Sequence, residues 1–183
     1  MHRQPLLHLL QNYTPFDTHE TQMWTEILDF VQQYPTCFER SLALGHITAS
    51  AWITDHAGAL ALMTHHRKLD RWLQLGGHAD GETDALKVAL TEAREESGLQ
   101  DIQPVSMSIF DVDVHVIPKN GEIEAHKHYD IRFQFKADAS QPLYRSERES
   151  KQLKWLEMEE VLLLNKEESI RRMVEKSISF SRA

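Results

Sequence analysis

The sequence predicts an α/β fold: a mixed β-sheet covered by helices, preceded by a helical extension. Three observations carry this. Apolar residues recur at helical spacing through residues 1–40. From Ser41 onward, short strand-like segments alternate with turn residues. A long helical pattern over 84–97 interrupts those strands and stops at Gly98. Sheet faces and helix stripes must both be buried, and layering helices on a mixed sheet is the economical way to do it.

The elements follow in chain order. Leu6, Leu7, Leu9 and Leu10 predict a short helix ending near Asn12. Asp17 followed by Glu20 has the form of a capping box. Trp24, Ile27, Leu28 and Val31 then continue at helical spacing until Pro35 ends the helix. These helices define an N-terminal extension, 1–40, ahead of a main domain, 41–183. Residues 46–54 read as a strand, 55–58 as a turn and 59–65 as the partner strand. A shorter strand covers 72–75, and 76–81 reads as a glycine-bearing loop. Strands are expected over 106–117, 128–136 and 153–156. Asn165 and Glu168 form a second capping box, opening a helix over 166–177.

Composition bounds the function. The chain has 183 residues, 41% apolar and 26% charged, which suits a folded globular protein of one domain with an extension. No apolar run approaches the roughly 20 residues that span a bilayer, and the segment after Met1 lacks the features of a secretory leader. Cys37 is the sole cysteine, so an intramolecular disulfide is excluded and a cytoplasmic setting is expected. The net charge of −8 argues against gripping a nucleic-acid backbone. A phosphorylated small molecule is still compatible with such a chain if divalent cations neutralise the phosphates.

The 84–97 helix concentrates the chemistry. Residues three and four apart are neighbours on a helix, so Glu92 faces Glu95 and Glu96. Like charges at these spacings cost roughly 0.2–0.5 kcal/mol per pair. No Lys or Arg stands three or four residues from Glu92, and the cluster occupies final turns, where the helix dipole is negative. Hard cations held by carboxylate oxygens would reverse that balance. A solvated acidic face is the competing reading.

The surrounding residues favour the cation reading. Residues 76–99 read GGHADGETDALKVALTEAREESGL. This segment resembles the Nudix box, a loop–helix–loop signature ending in Arg-Glu-apolar-any-Glu-Glu-any-Gly-apolar. Thr91-Glu92-Ala93-Arg94-Glu95-Glu96-Ser97-Gly98-Leu99 matches that ending in all but its first position. The resemblance implies that Glu92, Glu95 and Glu96 bind metal, that Glu95 and Glu96 are catalytic, and that Gly77 is the leading glycine. It departs twice: Thr91 replaces the usual Arg, and the first half is one residue out of step, leaving Glu82 beside the position of the family's earlier glutamate. Arg94 is the nearest substitute for the missing arginine. The segment 154–161 is similar to the family's late strand and short acidic helix.

The implied fold is a Nudix-type α/β/α sandwich with a mixed sheet. The implied activity is Mg²⁺-dependent cleavage, with Mn²⁺ as substitute, of a phosphoanhydride in a nucleoside diphosphate linked to another group. Gly76, Gly77 and Arg67 are expected on the substrate, Arg67 because the run His65-His66-Arg67-Lys68 offers cations to phosphates, with a solvated turn as the equal alternative. The base expected to take the proton from water is Glu96, or Glu147 or Glu149 from a later polar loop, although surface charge is the favoured reading of those two. A homodimer is compatible with this reading. Two alternatives stay open: an isopentenyl-diphosphate isomerase-like enzyme, for which Cys37 lies in an unsuitable context, and a non-catalytic nucleotide-sensing module.

Other residues invite weaker readings. His126, His128 and Asp130 alternate along one strand, as Asp113 and His115 do along another. Pairing of the two strands would gather a His/Asp cluster suited to a transition metal. Ordinary hydrogen-bonded strand histidines are the favoured reading, because no full tetrahedral ligand spacing is visible. Trp52, Trp72 and Trp155 are expected to pack in the fold rather than to stack a base.

Overall fold

The computed structural model describes residues 2–122 and 124–180, apart from the side chain of Phe180. Eight strands form a mixed sheet flanked by helices. They are β1 (Gly45–Asp55), β2 (Leu60–His66), β3 (Arg71–Leu73), β4 (Leu75–His78), β5 (Gln103–Pro104), β6 (Asp111–Ile117), β7 (His126–Ala137) and β8 (Ser150–Glu157). The path β3-β2-β1-β7-β5 carries β4 against β1, β6 against β7 and β8 against β2. The helices are α1 (Gln4–Gln11), α2 (Thr18–Gln33), α3 (Ala85–Ser97), α4 (Met158–Leu164) and α5 (Glu168–Phe180). The chain divides into two units. The first holds Met1–Ser50, Gly76–Ala89 and Met107–Phe133; the second holds Ala51–Leu75, Leu90–Ser106 and Gln134–Ala183.

In the first unit, α1 buries Leu6 and Leu10, and α2 buries Ile27, Phe30 and Val31. Arg3 ties the two helices together by donating to the carbonyls of Val31 (2.7 Å) and Gln32 (2.8 Å). The expected capping box forms by half. Asp17 accepts from the Glu20 amide at 2.7 Å, but the Glu20 carboxylate does not return the bond to Asp17. It is buried instead, and accepts from the Phe16 amide (2.6 Å), the Val112 amide (3.1 Å) and the Tyr13 hydroxyl. A residue expected to cap a helix therefore fastens the extension to β6.

β6 and β7 pair antiparallel, with Asp111 opposite Arg132, Asp113 opposite Asp130 and His115 opposite His128. The strand expected from 106 begins only at Asp111. Ser106, Met107 and Ser108 supply no apolar face to pack, and Met107 is exposed. The expected loop at 76–81 is also corrected: Gly76, Gly77 and His78 lie in β4. At Gly76 a Cβ would stand 2.4 Å from Ser50 Oγ and 2.8 Å from the Ala49 carbonyl. Glycine here serves close backbone approach to β1 rather than a turn.

In the second unit, β2 pairs with β3 and with β8. β8 is longer than the expected 153–156, and its ladder runs from Leu60 opposite Glu157 to His66 opposite Ser150. Trp52 is fully buried and donates from Nε1 to Ser177 Oγ at 2.7 Å, satisfying its one polar atom. The last helix opens at Glu168, later than expected. Asn165 accepts from the Glu167 amide and donates to the Trp72 carbonyl, both at 2.8 Å, so it anchors the preceding turn to β3.

Candidate active site

The N-terminal end of α3 is closed by Glu82 and Asp84. The Glu82 carboxylate accepts from the amides of Thr83 (2.8 Å) and Asp84 (3.1 Å) and pairs with the Lys87 ammonium. The Lys87 hydrogen bond, followed by the two amides, holds its pKa down to about 2. Glu82 is thus committed to the helix start. Asp84 accepts from the Lys87 amide at 3.1 Å.

The C-terminal turns present the three glutamates unequally. Ala89 and Ala93 are fully buried, and Glu96 continues the same stripe at 6% exposure. Glu92 is half-buried and Glu95 is exposed. A purely solvated acidic face would leave all three in water, so the burial of Glu96 weighs against that reading. Thr91 and Arg94 are both exposed. The helix end is rigidly set. Ser97 Oγ donates to the Ala93 carbonyl (2.5 Å) and accepts from the Leu99 amide (3.2 Å). Gly98 takes φ +75°, the left-handed stop that glycine adopts without cost, and its amide donates to the Arg94 carbonyl at 2.8 Å. Tyr144 packs where a Cβ of Gly98 would stand, and its amide donates to the Ser97 carbonyl at 2.8 Å.

Arg67 follows β2. Its amide donates to the Glu149 carbonyl (2.6 Å), Nε to the Glu147 carbonyl (3.0 Å) and a terminal guanidinium nitrogen to the Ser150 carbonyl (3.3 Å). The Glu147 and Glu149 side chains are exposed on this loop, and Glu147 pairs with Arg145 at 3.5 Å. Gly76 and Gly77 lie on β4 in the first unit; Arg67, Glu92, Glu95 and Glu96 lie in the second.

The first unit carries a polar strip that sequence reasoning saw only in part. Arg132 is buried and donates to Asp130 (2.8 Å), Asp113 (3.0 Å) and Asp111 (3.1 Å). Burial disfavours its charge, but the aspartates outweigh burial and hold its pKa above the ordinary guanidinium value. Thr48 and Ser50 add hydroxyl donors to Asp130, each at 2.9 Å. Arg132 therefore claims Asp113 and Asp130, which the expected His/Asp cluster would have used.

The histidines gather beside this strip, with His115 Nδ1 3.9 Å from Asp113 Oδ2. The His128 ring centroid lies 4.9 Å from those of His46 and His78 and 5.3 Å from those of His115 and His126. His78 Nε2 and His128 Nε2 are 3.3 Å apart. Burial, then the neighbouring histidines, lower His46 to about 4 and His128 to about 2. The sequence reading missed His46, His78 and Arg132. The signal for the first was present: His46, Thr48 and Ser50 alternate along β1.

Cys37 is buried, and burial pushes its thiol up to about 11, which leaves it protonated and unreactive at neutral pH. Among the described residues, no helix is long and apolar enough to cross a membrane.

Residues 44–176, which include the whole of α3, match the family model of the NUDIX domain. The chain belongs to the Nudix family. It is accordingly a pyrophosphohydrolase, of a family that generally uses divalent metal. A comparison with curated proteins finds no match. Solved structures share the Nudix fold at low identity. A C. elegans Ap4A hydrolase, solved as a binary complex, is 16% identical with a TM-score of 0.55, covering 73% of this chain and 96% of its own. The E. coli dihydroneopterin triphosphate pyrophosphohydrolase is 16% identical with a TM-score of 0.56, covering 71% and 92%. The M. smegmatis Nudix hydrolase RenU is 17% identical with a TM-score of 0.52, covering 75% and 87%.

Proposed function

We propose that this Nudix enzyme hydrolyses the phosphoanhydride of a nucleoside diphosphate linked to another group, using Mg²⁺, with Mn²⁺ able to replace it. The observation that carries the reading is the glutamate set on the fixed last turns of α3, with Glu96 on the buried stripe. Its all-oxygen donors suit a hard cation such as Mg²⁺. When bound, the cation would polarise phosphoryl oxygens and lower the pKa of a water molecule. Glu92, Glu95 and Glu96 are the proposed metal residues, with Glu95 and Glu96 catalytic. The water oxygen bonds to phosphorus, the bridging P–O bond breaks, and the bridging oxygen leaves with its electron pair. Glu96 accepts the water's proton, with Glu147 and Glu149 as the alternative bases. Gly76, Gly77 and Arg67 are the proposed substrate residues; the carbonyl bonds of Arg67 would hold its loop in place while its exposed side meets phosphate. The Ap4A hydrolase and the dihydroneopterin triphosphate pyrophosphohydrolase are both named for substrates of this phosphoanhydride kind. Action as a cytoplasmic enzyme, free or as a homodimer, belongs to the same reading.

The test is a screen of phosphorylated metabolites with Mg²⁺, scoring released phosphate or nucleoside monophosphate. Turnover is expected on nucleoside diphosphate conjugates and not on phosphomonoesters. Isomerised diphosphates with no phosphate release would overturn the reading.

A second measurement addresses the metal. A ligand that binds only the folded state stabilises it by RT ln(1 + [L]/Kd), about 2.7 kcal/mol at a hundredfold excess over Kd. Thermal unfolding should shift upward in MgCl₂ beyond the shift in NaCl of equal ionic strength, which controls for screening. The excess should shrink in a Glu92→Gln/Glu96→Gln variant. Equal shifts from both salts would reduce the cluster to a solvated face.

A further inference from the structure

We propose that His46, His78 and His128 form a second metal site, selective for a divalent transition ion of the Zn²⁺ and Co²⁺ class. All three lie in the first unit, on β1, β4 and β7. One ligand nitrogen from each lies within 4.8 Å of the others. Metal–nitrogen bonds of about 2.0–2.1 Å place two nitrogens of a tetrahedron about 3.3–3.4 Å apart. The His78 Nε2 to His128 Nε2 separation of 3.3 Å already meets that edge.

His46 supplies the independent observation. It is 3% exposed, and neither ring nitrogen has a hydrogen-bond partner. A buried polar atom left unsatisfied costs about 1–3 kcal/mol, and both nitrogens are sealed from water. A metal ion between the three rings would satisfy one of them. Neutral imidazole is the ligating form, and imidazole suits Zn²⁺, Cu²⁺ and Ni²⁺, whereas Mg²⁺ takes oxygen. Three histidines also leave a tetrahedral ion one open position. His126 borders that space, its ring 5.2 Å from His46, and also lines an open cavity of about 290 Å³ with Leu44, Val116, Lys127 and Tyr129. The donor set shares no residue with the glutamates of α3, so the two sites can be loaded separately.

The experiment is a Co²⁺ titration of the metal-stripped full-length protein, read by visible d–d absorption. A saturable spectrum of tetrahedral intensity is expected, displaced by Zn²⁺ and insensitive to excess Mg²⁺. It should persist in the Glu92→Gln/Glu96→Gln variant and in His115→Asn. It should be lost in His78→Asn and in His128→Asn, each checked for wild-type circular dichroism. His78 and His128 are only half-buried, which makes them safer probes than His46. If one variant fails to fold, loss or retention in the other decides. A weak octahedral spectrum, no saturation, or a spectrum retained in a folded histidine variant would overturn the site. Loss only in the glutamate variant would assign the ion to α3 and also overturn it.

Discussion

Glu96→Gln should abolish turnover while leaving the fold intact. Gln preserves the volume and shape of a side chain that is 6% exposed beside Ala89 and Ala93, so packing along α3 is retained. The change removes one negative charge and, with it, both the proposed metal oxygen and the proposed proton acceptor. Charge stabilisation by a metal is worth several kcal/mol in the transition state. Losing roughly 4 kcal/mol lowers the rate about a thousandfold. The measurement is kcat in saturating Mg²⁺ on the substrate found by the screen, with circular dichroism and thermal unfolding as controls. Glu147→Gln and Glu149→Gln, on exposed side chains, discriminate between the candidate bases. If either of those loses turnover and Glu96→Gln keeps it, the proton acceptor lies on the β7–β8 loop instead.

Arg132→Met should strongly destabilise the first unit. Arg132 donates to Asp111, Asp113 and Asp130, all of them buried. Removing the cation leaves three buried carboxylates without the guanidinium that all three share. Breaking a buried pair by deleting one partner costs about 3–5 kcal/mol, a large share of the roughly 5–15 kcal/mol that holds a domain folded. Chemical denaturation should show a lower midpoint with an unchanged slope. The charge argument has its own control: Arg132→Met combined with Asp111→Asn and Asp113→Asn should recover much of the loss. A triple variant as unstable as the single one would assign the effect to lost packing.

The sequence and the structure agree where one local pattern decides the outcome. Helices α1, α2 and α3 were legible because apolar spacing, Asp17, Pro35 and Gly98 each act within a few residues. The match over 91–99 was legible for the same reason. Glu20 was legible only in part, because its carboxylate answers to Val112, far along the chain, as well as to Phe16 at the helix start. Gly76 was read as a loop residue because closeness to Ser50 leaves no local trace. The alternation of His126, His128 and Asp130 is visible along one strand, but only strand pairing reveals that Arg132 binds Asp113 and Asp130 and that His46 and His78 lie beside His128.

The bonds from Tyr13 to Phe110, just before β6, and from Glu20 to β6 itself also bear on the order of folding. They join residues 97 and 92 positions apart, Tyr13 to Phe110 and Glu20 to Val112. Helices α1 and α2 can form early from local contacts, but contacts of such long range are slow to make. On the ribosome, which releases the N-terminus first, the Glu20 carboxylate waits in water until β6 emerges and docks. Closure of that long loop therefore coincides with desolvation of the carboxylate, and the N-terminal helices lock onto the first unit only after β6 has emerged.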